Sequence, residues 1–343
     1  MKHFLSFLVV IFAVLFLALF VKNSRDPSKE TKPVLRVFAS SSFIAQWGPG
    51  PWLRTQFEQT CHCRVEFFDG ADSTILMQRL KSEARVGADI VLGFDQFDLE
   101  MATAGINWKP ISVQGLDFED EAKPALAQPE FVPYDFGVMS FVFRKSELAQ
   151  FPKNLDDFLK PEWKGQISMQ DPRTSSPGLQ FLLWLIDIRG EEGAWEYLKR
   201  FNAQVKAYST SWSMAYGLFT KAQAMTVFSY TTSPVYHKVE EKNLDVVAVE
   251  LNEGHPLQFE FMGIPANCQQ CDLAQKFAEL VLSKEGQKVV MEKNYMFPVI
   301  KAVKDGTIFG EIPPYKLRPY EIVPSQAERE RLLRKWSALR RME

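Results

Sequence analysis

The sequence predicts an α/β fold of two lobes, on three observations. A length of 343 residues exceeds one ordinary domain of about 100–200 residues. Short apolar runs alternate with segments of helical period, the order of βαβ units and covered parallel sheets. Two extended stretches far apart in the chain, 131–137 and 257–265, read as crossings between the lobes. The chain then leaves lobe one, builds lobe two and returns.

The N-terminus comes first. Residues 4–21 are apolar apart from Ser6, preceded by Lys2 and followed by Lys22, Asn23 and Ser24. Such a run is an export signal or an anchor, and Ala18-Leu19-Phe20 lacks the small residue that a cleavage site requires. Its length reaches the rough 18-residue threshold for spanning a bilayer. The segment 1–22 is therefore read as an anchor or signal, with an uncleaved anchor favoured. Residues 23–33, polar and carrying Asp26-Pro27-Ser28, form the linker.

Strands are expected at 34–39, 65–68 and 89–93, with helices at 51–59 and 74–83 between them. The pattern continues with a strand at 139–143, helices at 178–188 and 213–221, and a strand at 224–230. Beyond the second crossing lie helices at 273–282 and 284–293 and a tail helix ending Arg340-Arg341. Acidic residues intersperse the tail's charges, so it reads as a packed amphipathic helix. Lobe one takes 34–132 and 264–343, and lobe two takes 133–263.

A formal net charge of −2 supplies no basic field, so no nucleic acid partner is expected. The cysteines fall as Cys61/Cys63 and Cys268/Cys271. Spacing of C-x-C is tighter than a zinc knuckle and an exported chain meets an oxidising compartment, so a disulfide within each pair is expected, with zinc the alternative.

Asp171-Pro172-Arg173-Thr174-Ser175-Ser176-Pro177-Gly178 precedes an apolar run, with Ser176 suited to an N-cap and Pro177 to the first helical position. The free donors of that helix end, with the hydroxyls of Ser175 and Ser176, suit an anion; an ordinary cap is the plainer reading. Ser233-Pro234 repeats the signature after a strand, where crevices open in α/β lobes. His237, without convergent partners, reads as a surface or capping histidine. Trp47, Trp212, Tyr216 and Tyr295 stand at loop positions, and several rings converging on one cleft would suit a flat cation. Asp72 serves equally as an N-cap or a ligand carboxylate. No phosphate loop, H-E-x-x-H or G-x-S-x-G motif is present, which favours a binding module with no catalytic residues, cofactor or metal.

Taken jointly, Trp47-Gly48-Pro49-Gly50-Pro51, Cys61-His62-Cys63, Ala88-Asp89-Ile90-Val91-Leu92-Gly93, the 171–179 segment, Ala215-Tyr216-Gly217-Leu218-Phe219, the 229–234 segment with Tyr236-His237, and Glu253-Gly254-His255 resemble the periplasmic thiamine-binding proteins of ABC importers. The resemblance covers most of the exported part. It implies a type II-like periplasmic-binding-protein fold that closes on thiamine or its phosphates and docks on the importer's membrane subunits. The periplasm is implied, with Trp47, Asp72, Ser175, Trp212, Tyr230, Ser233, Tyr236 and Tyr295 lining the pocket; a monomer is expected, held to the inner membrane where the N-terminal segment stays uncleaved. Ser40 stands where the family carries an aromatic, and Tyr295 where it carries a tryptophan. Two alternatives stay open: a binding protein for another cation, polyamine or ferric iron, and a thiamine-degrading enzyme with a cysteine nucleophile. For the anchor, intact-mass measurement of the exported protein is expected to return the full chain; a soluble form beginning near residues 22–35 would show cleavage instead.

Overall fold

The structure, a computed structural model, describes residues 32–82, 87–320 and 323–341. The expected anchor and all but the last residues of the linker lie outside them. Parallel strands β1 (Val34–Ala39), β2 (Arg64–Asp69) and β3 (Ile90–Asp95) pair in the order β2-β1-β3. Helices α1 (Ser41–Ile44), α2 (Gly50–Cys61) and α3 (Ser73–Ser82) connect them, and α4 (Leu99–Thr103) follows. After the short β4 (Trp108–Lys109), the strand β5 (Phe131–Arg144) is the hub.

A second parallel set contains β6 (Ile167–Gln170), β7 (Val205–Ser209) and β8 (Thr226–Tyr230), in the order β8-β6-β7. Helices α5 (Ser176–Phe201), α6 (Trp212–Thr220) and α7 (Ser233–Glu240) connect these strands or follow them. Beyond β9 (Val246–Ala248) the chain returns on β10 (Leu257–Pro265), continues through α8 (Cys271–Leu282), α9 (Lys284–Asn294) and β11 (Phe297–Pro298), and ends in α10 (Gln326–Arg341). The main path is β2-β1-β3-β10-β5-β8-β6-β7, with β9 and β11 also pairing β5 and β4 pairing β10.

Both expected crossings are therefore strands. Residues 131–138 of β5 pair with β10 and residues 139–143 with β8, each antiparallel, so a parallel set lies on either side of a central antiparallel pair. The parallel sheets expected from the βαβ order are present in each half, and β10 and β5 join them antiparallel because the return strand enters from the far half and runs the other way. Sequence reading also missed β6 and β7; the helix expected over 178–188 ends at a kink at Gly190 (φ 66°), beyond which a second helical stretch runs on to Phe201.

Alternation of side chains across each strand splits the core. On one face of the first half Leu35, Val37 and Ala39 join Ile90 and Leu92, and on the other Phe38 joins Val91 and Phe94. The change of face between Leu92 and Phe94 occurs at Gly93, whose φ of +97° marks a bulge opposite Phe261 and Met262. In the second half Met139, Phe141 and Phe143 share one core with Phe228, while Val142 and Val227 face the other. The tail helix packs as expected of an amphipathic segment: Leu332, Trp336 and Leu339 recur at helical spacing and enter the second core. Each close cysteine pair is joined internally, Cys61 to Cys63 and Cys268 to Cys271.

His255 braces the return from the second half. The Leu251 amide donates to its Nε2 at 2.9 Å, which leaves Nδ1 to donate to the Met139 carbonyl at 2.8 Å. Burial holds its pKa below the ordinary value, so the ring stays neutral in that role.

Between the halves lies a polar cluster. Ser176 and Gln180 of α5 both donate to Asp95 at the end of β3, and Arg329 of α10 pairs with the buried Asp98 at 2.8 Å. Burial, reinforced by the Asp98 charge, pushes the Asp95 carboxyl up to about 7 against the opposing Ser176 hydroxyl and Arg329 charge. This folded value exceeds the unfolded one of about 3.9. The folded chain thus binds the extra proton between roughly pH 4 and 7, and the stabilisation is complete below that window and lost as pH rises through it. The melting temperature is expected to fall between pH 5.5 and pH 8, and Asp95→Asn to shrink that fall. An undiminished fall in the variant would assign the slope to other groups.

Candidate ligand-binding site

The carboxyl ends of the parallel strands in both halves point at one place. Ser40 follows β1, Asp72 lies beyond β2, Trp212 beyond β7 and Ser233 beyond β8, and all four line a cavity of about 620 Å³. Its volume is that of a small-molecule site, and its position is where α/β sheets place ligands. Helix α5 reaches it by close packing on β6: a Cβ on Gly178 would lie 2.5 Å from the Gln170 carbonyl oxygen.

Aromatic rings build one wall. Trp212 and Tyr216, one helical turn apart on α6, stack at 4.9 Å with 22° between planes, and Trp212 sits 6.4 Å from Tyr230. Both residues belong to the helix expected at 213–221, which starts one residue earlier at Trp212, and that helix fixes their mutual spacing. The Trp212 indole donates to Ser229 Oγ at 2.9 Å, and Ser229 meets Ser233 Oγ at 2.8 Å, so Ser233 both lines the cavity and steadies the tryptophan. Tyr236 and Tyr295 meet edge to face at 5.4 Å. Tyr295 caps α9 in the left-handed region at φ 53°, held there by Thr232 Oγ1 donating to its carbonyl at 2.5 Å, while its hydroxyl donates to Glu240. Trp47, 51% exposed, stands at the mouth.

Carboxylates supply the charge. Asp72 Oδ2 accepts from Ser175 Oγ at 2.7 Å and from the Trp212 amide at 3.3 Å, so it joins the first half to the second. Burial raises its pKa above the ordinary carboxylate value, and the Ser175 hydroxyl opposes that rise. Glu260 on β10 also lines the cavity, with Oε2 accepting from the Tyr134 hydroxyl at 2.6 Å and from Asn294 at 3.3 Å. Asp135, its register partner on β5, accepts from Asn294 at 2.7 Å. Desolvation and then the Glu260 charge raise Asp135 well above the carboxylate range, and burial raises Glu260 as well.

Of the residues expected from sequence, Trp47, Asp72, Ser176, Trp212, Tyr230, Ser233, Tyr236 and Tyr295 line the cavity. Ser175 does not reach the wall: it is fully buried behind Asp72. The helix also starts one residue earlier than expected, with Ser175 at the N-cap and Ser176 within the first turn. Neither hydroxyl caps the helix or waits for an external anion, because Asp72 and Asp95 accept from them. His237 is not at the surface either; it is 3% exposed and bonds the Tyr216 hydroxyl and Glu241. Gln258, Glu260 and Asn294 escaped the sequence reading. Polar residues at alternate positions of the otherwise apolar 257–265 stretch were the available signal, hidden by taking that stretch as a crossing.

Residues 52–313 match the family model described as bacterial extracellular solute-binding protein. The chain is 36% identical over 329 residues to a thiamine-binding periplasmic protein of Brucella melitensis, covering 92% of this chain and 95% of that protein. A thiamine-binding periplasmic protein of Salmonella typhimurium is 39% identical over 272 residues, covering 78% and 81%. A solved periplasmic thiamin binding protein superposes with a TM-score of 0.82 at 32% identity, covering 91% of this chain and 97% of that one. On this sequence match, this fold and a cavity placed where the strands of both halves converge, the chain belongs to the bacterial extracellular solute-binding proteins, in the group of the thiamine-binding periplasmic proteins.

Proposed function

We propose that the protein captures thiamine outside the cytoplasm and delivers it to the membrane subunits of an ABC importer. The observation that carries this reading is a single cavity walled by Trp212, Tyr216, Tyr230, Tyr236 and Tyr295 and charged by Asp72 and Glu260. Aromatic faces hold organic cations at about 0.5–2 kcal/mol each, and a carboxylate out of water attracts a cation more strongly than one in it. Among the described lining residues Lys293 alone is cationic, against Asp72, Glu240 and Glu260, so the lining favours the vitamin over its phosphate esters. A thiamine-degrading enzyme using a cysteine nucleophile needs a free thiol, whereas the four cysteines here are all bonded.

Delivery in this reading is a hinge motion of residues 34–132 with 264–343 against residues 133–263, about the crossings in β5 and β10. Asp72, gripping Ser175 and the Trp212 amide, is the contact that closure makes. The protein acts as a monomer, held to the inner membrane by its N-terminal segment. Ser40 and Tyr295, where the family carries larger rings, widen the pocket beside Trp47 and Tyr236.

Calorimetry tests the reading. Thiamine is expected to bind at one site and be recovered intact, and Asp72→Asn to weaken it by tens-fold or more, since losing a buried charge partner costs about 2–5 kcal/mol. No binding of any thiamine form would overturn the assignment. Ser175→Ala is expected to weaken thiamine and its phosphates by the same factor, because Ser175 acts through Asp72. A larger loss for the phosphates would instead place an anion site at that helix end.

A further inference from the structure

Strand β10 sends Gln258 and Glu260, two residues apart, to one face, and both line the cavity. Gln258 is 2% exposed, and its Oε1 accepts the Tyr230 hydroxyl at 3.1 Å. Among the described residues its amide NH₂ has no hydrogen-bond partner. Glu260 commits Oε2 to Tyr134 and Asn294, and its Oε1 likewise has no partner among the described residues. The floor of the cavity thus presents one held donor beside one held acceptor. Asn294 gives one N–H to Asp135 and the other to Glu260, which fixes the carboxylate plane.

This array is the complement of one edge of an aminopyrimidine, in which an exocyclic amino donor sits beside a ring-nitrogen acceptor. We propose that Gln258 and Glu260 determine specificity by reading that edge: Glu260 Oε1 accepts from the amino group and Gln258 Nε2 donates to the adjacent ring nitrogen. The pyrimidine then stands on the β10 floor while the thiazolium lies against the aromatic wall. This rests on the thiamine reading and adds the orientation of the ligand and the residues that set its choice. A held donor–acceptor pair discriminates sharply, because the wrong edge leaves buried groups unpaired.

The test compares thiamine with oxythiamine, whose amino group is replaced by an oxo group so that the edge is reversed while the cationic ring is kept. Titration calorimetry on the full chain is expected to show thiamine bound roughly 10- to 100-fold more tightly than oxythiamine. In Glu260→Gln that ratio is expected to fall to about threefold or less with the melting temperature retained. Equal binding of the two ligands by the unsubstituted protein would overturn the proposal without any variant. A ratio unchanged in Glu260→Gln would remove Glu260 from the role. Should that variant unfold, Gln258→Leu is expected to lower the ratio as well, and a ratio unchanged there would overturn the proposal. If the unsubstituted protein binds neither ligand, the thiamine reading fails and this inference with it.

Discussion

The ladder between β5 and β10 is the constraint on which the molecule turns. One strand of 14 residues serves both halves: its first part pairs with β10 and its second with β8. A parallel set on each side of that pair can then present its carboxyl ends to the same gap. Without a shared strand the two sets of loop residues would have no fixed separation. With it, the Asp72 carboxylate and the Trp212 backbone amide, far apart in sequence, come within hydrogen-bond distance.

Inside the gap the physical problem is holding carboxylates away from water. Burying a charge is costly unless it is hydrogen-bonded, and the chain meets this with hydroxyls: Ser175 for Asp72, Ser176 for Asp95 and Tyr134 for Glu260. The hydroxyls at the buried start of α5 are consumed in this way, which is why a helix terminus that looks built for an external anion faces the protein's own acids. The pKa directions agree with that picture. Desolvation is the largest influence on Asp72, Asp95, Asp135 and Glu260, and the donors counter only part of it.

Much of this was legible in sequence. Strand β1 fell where its apolar run predicted, and the ends of the strands before Asp72 and Ser233 were marked by the turn and cap chemistry around them. What stayed hidden was whatever depends on partners. The four-residue β6 carries too short a pattern to announce itself between loops. The role of Ser175 could not be read because its partner lies 103 positions away. Glu260 looked like one polar residue in a connecting stretch, and it becomes a floor group only when β5 and β3 flank its strand.

Helix α10 has one further consequence. Its start is fastened to the first half, where Gln326 donates to Glu100 and Arg329 to Asp98, while Trp336 sits in the second core against Tyr208. The helix is a strap between the two halves. Whenever the halves part, either the buried Arg329 pair must break or the helix must slide on its apolar seat, so the reach of the opening is limited. A tag or reporter fused after this helix would load a moving joint rather than hang from an inert end.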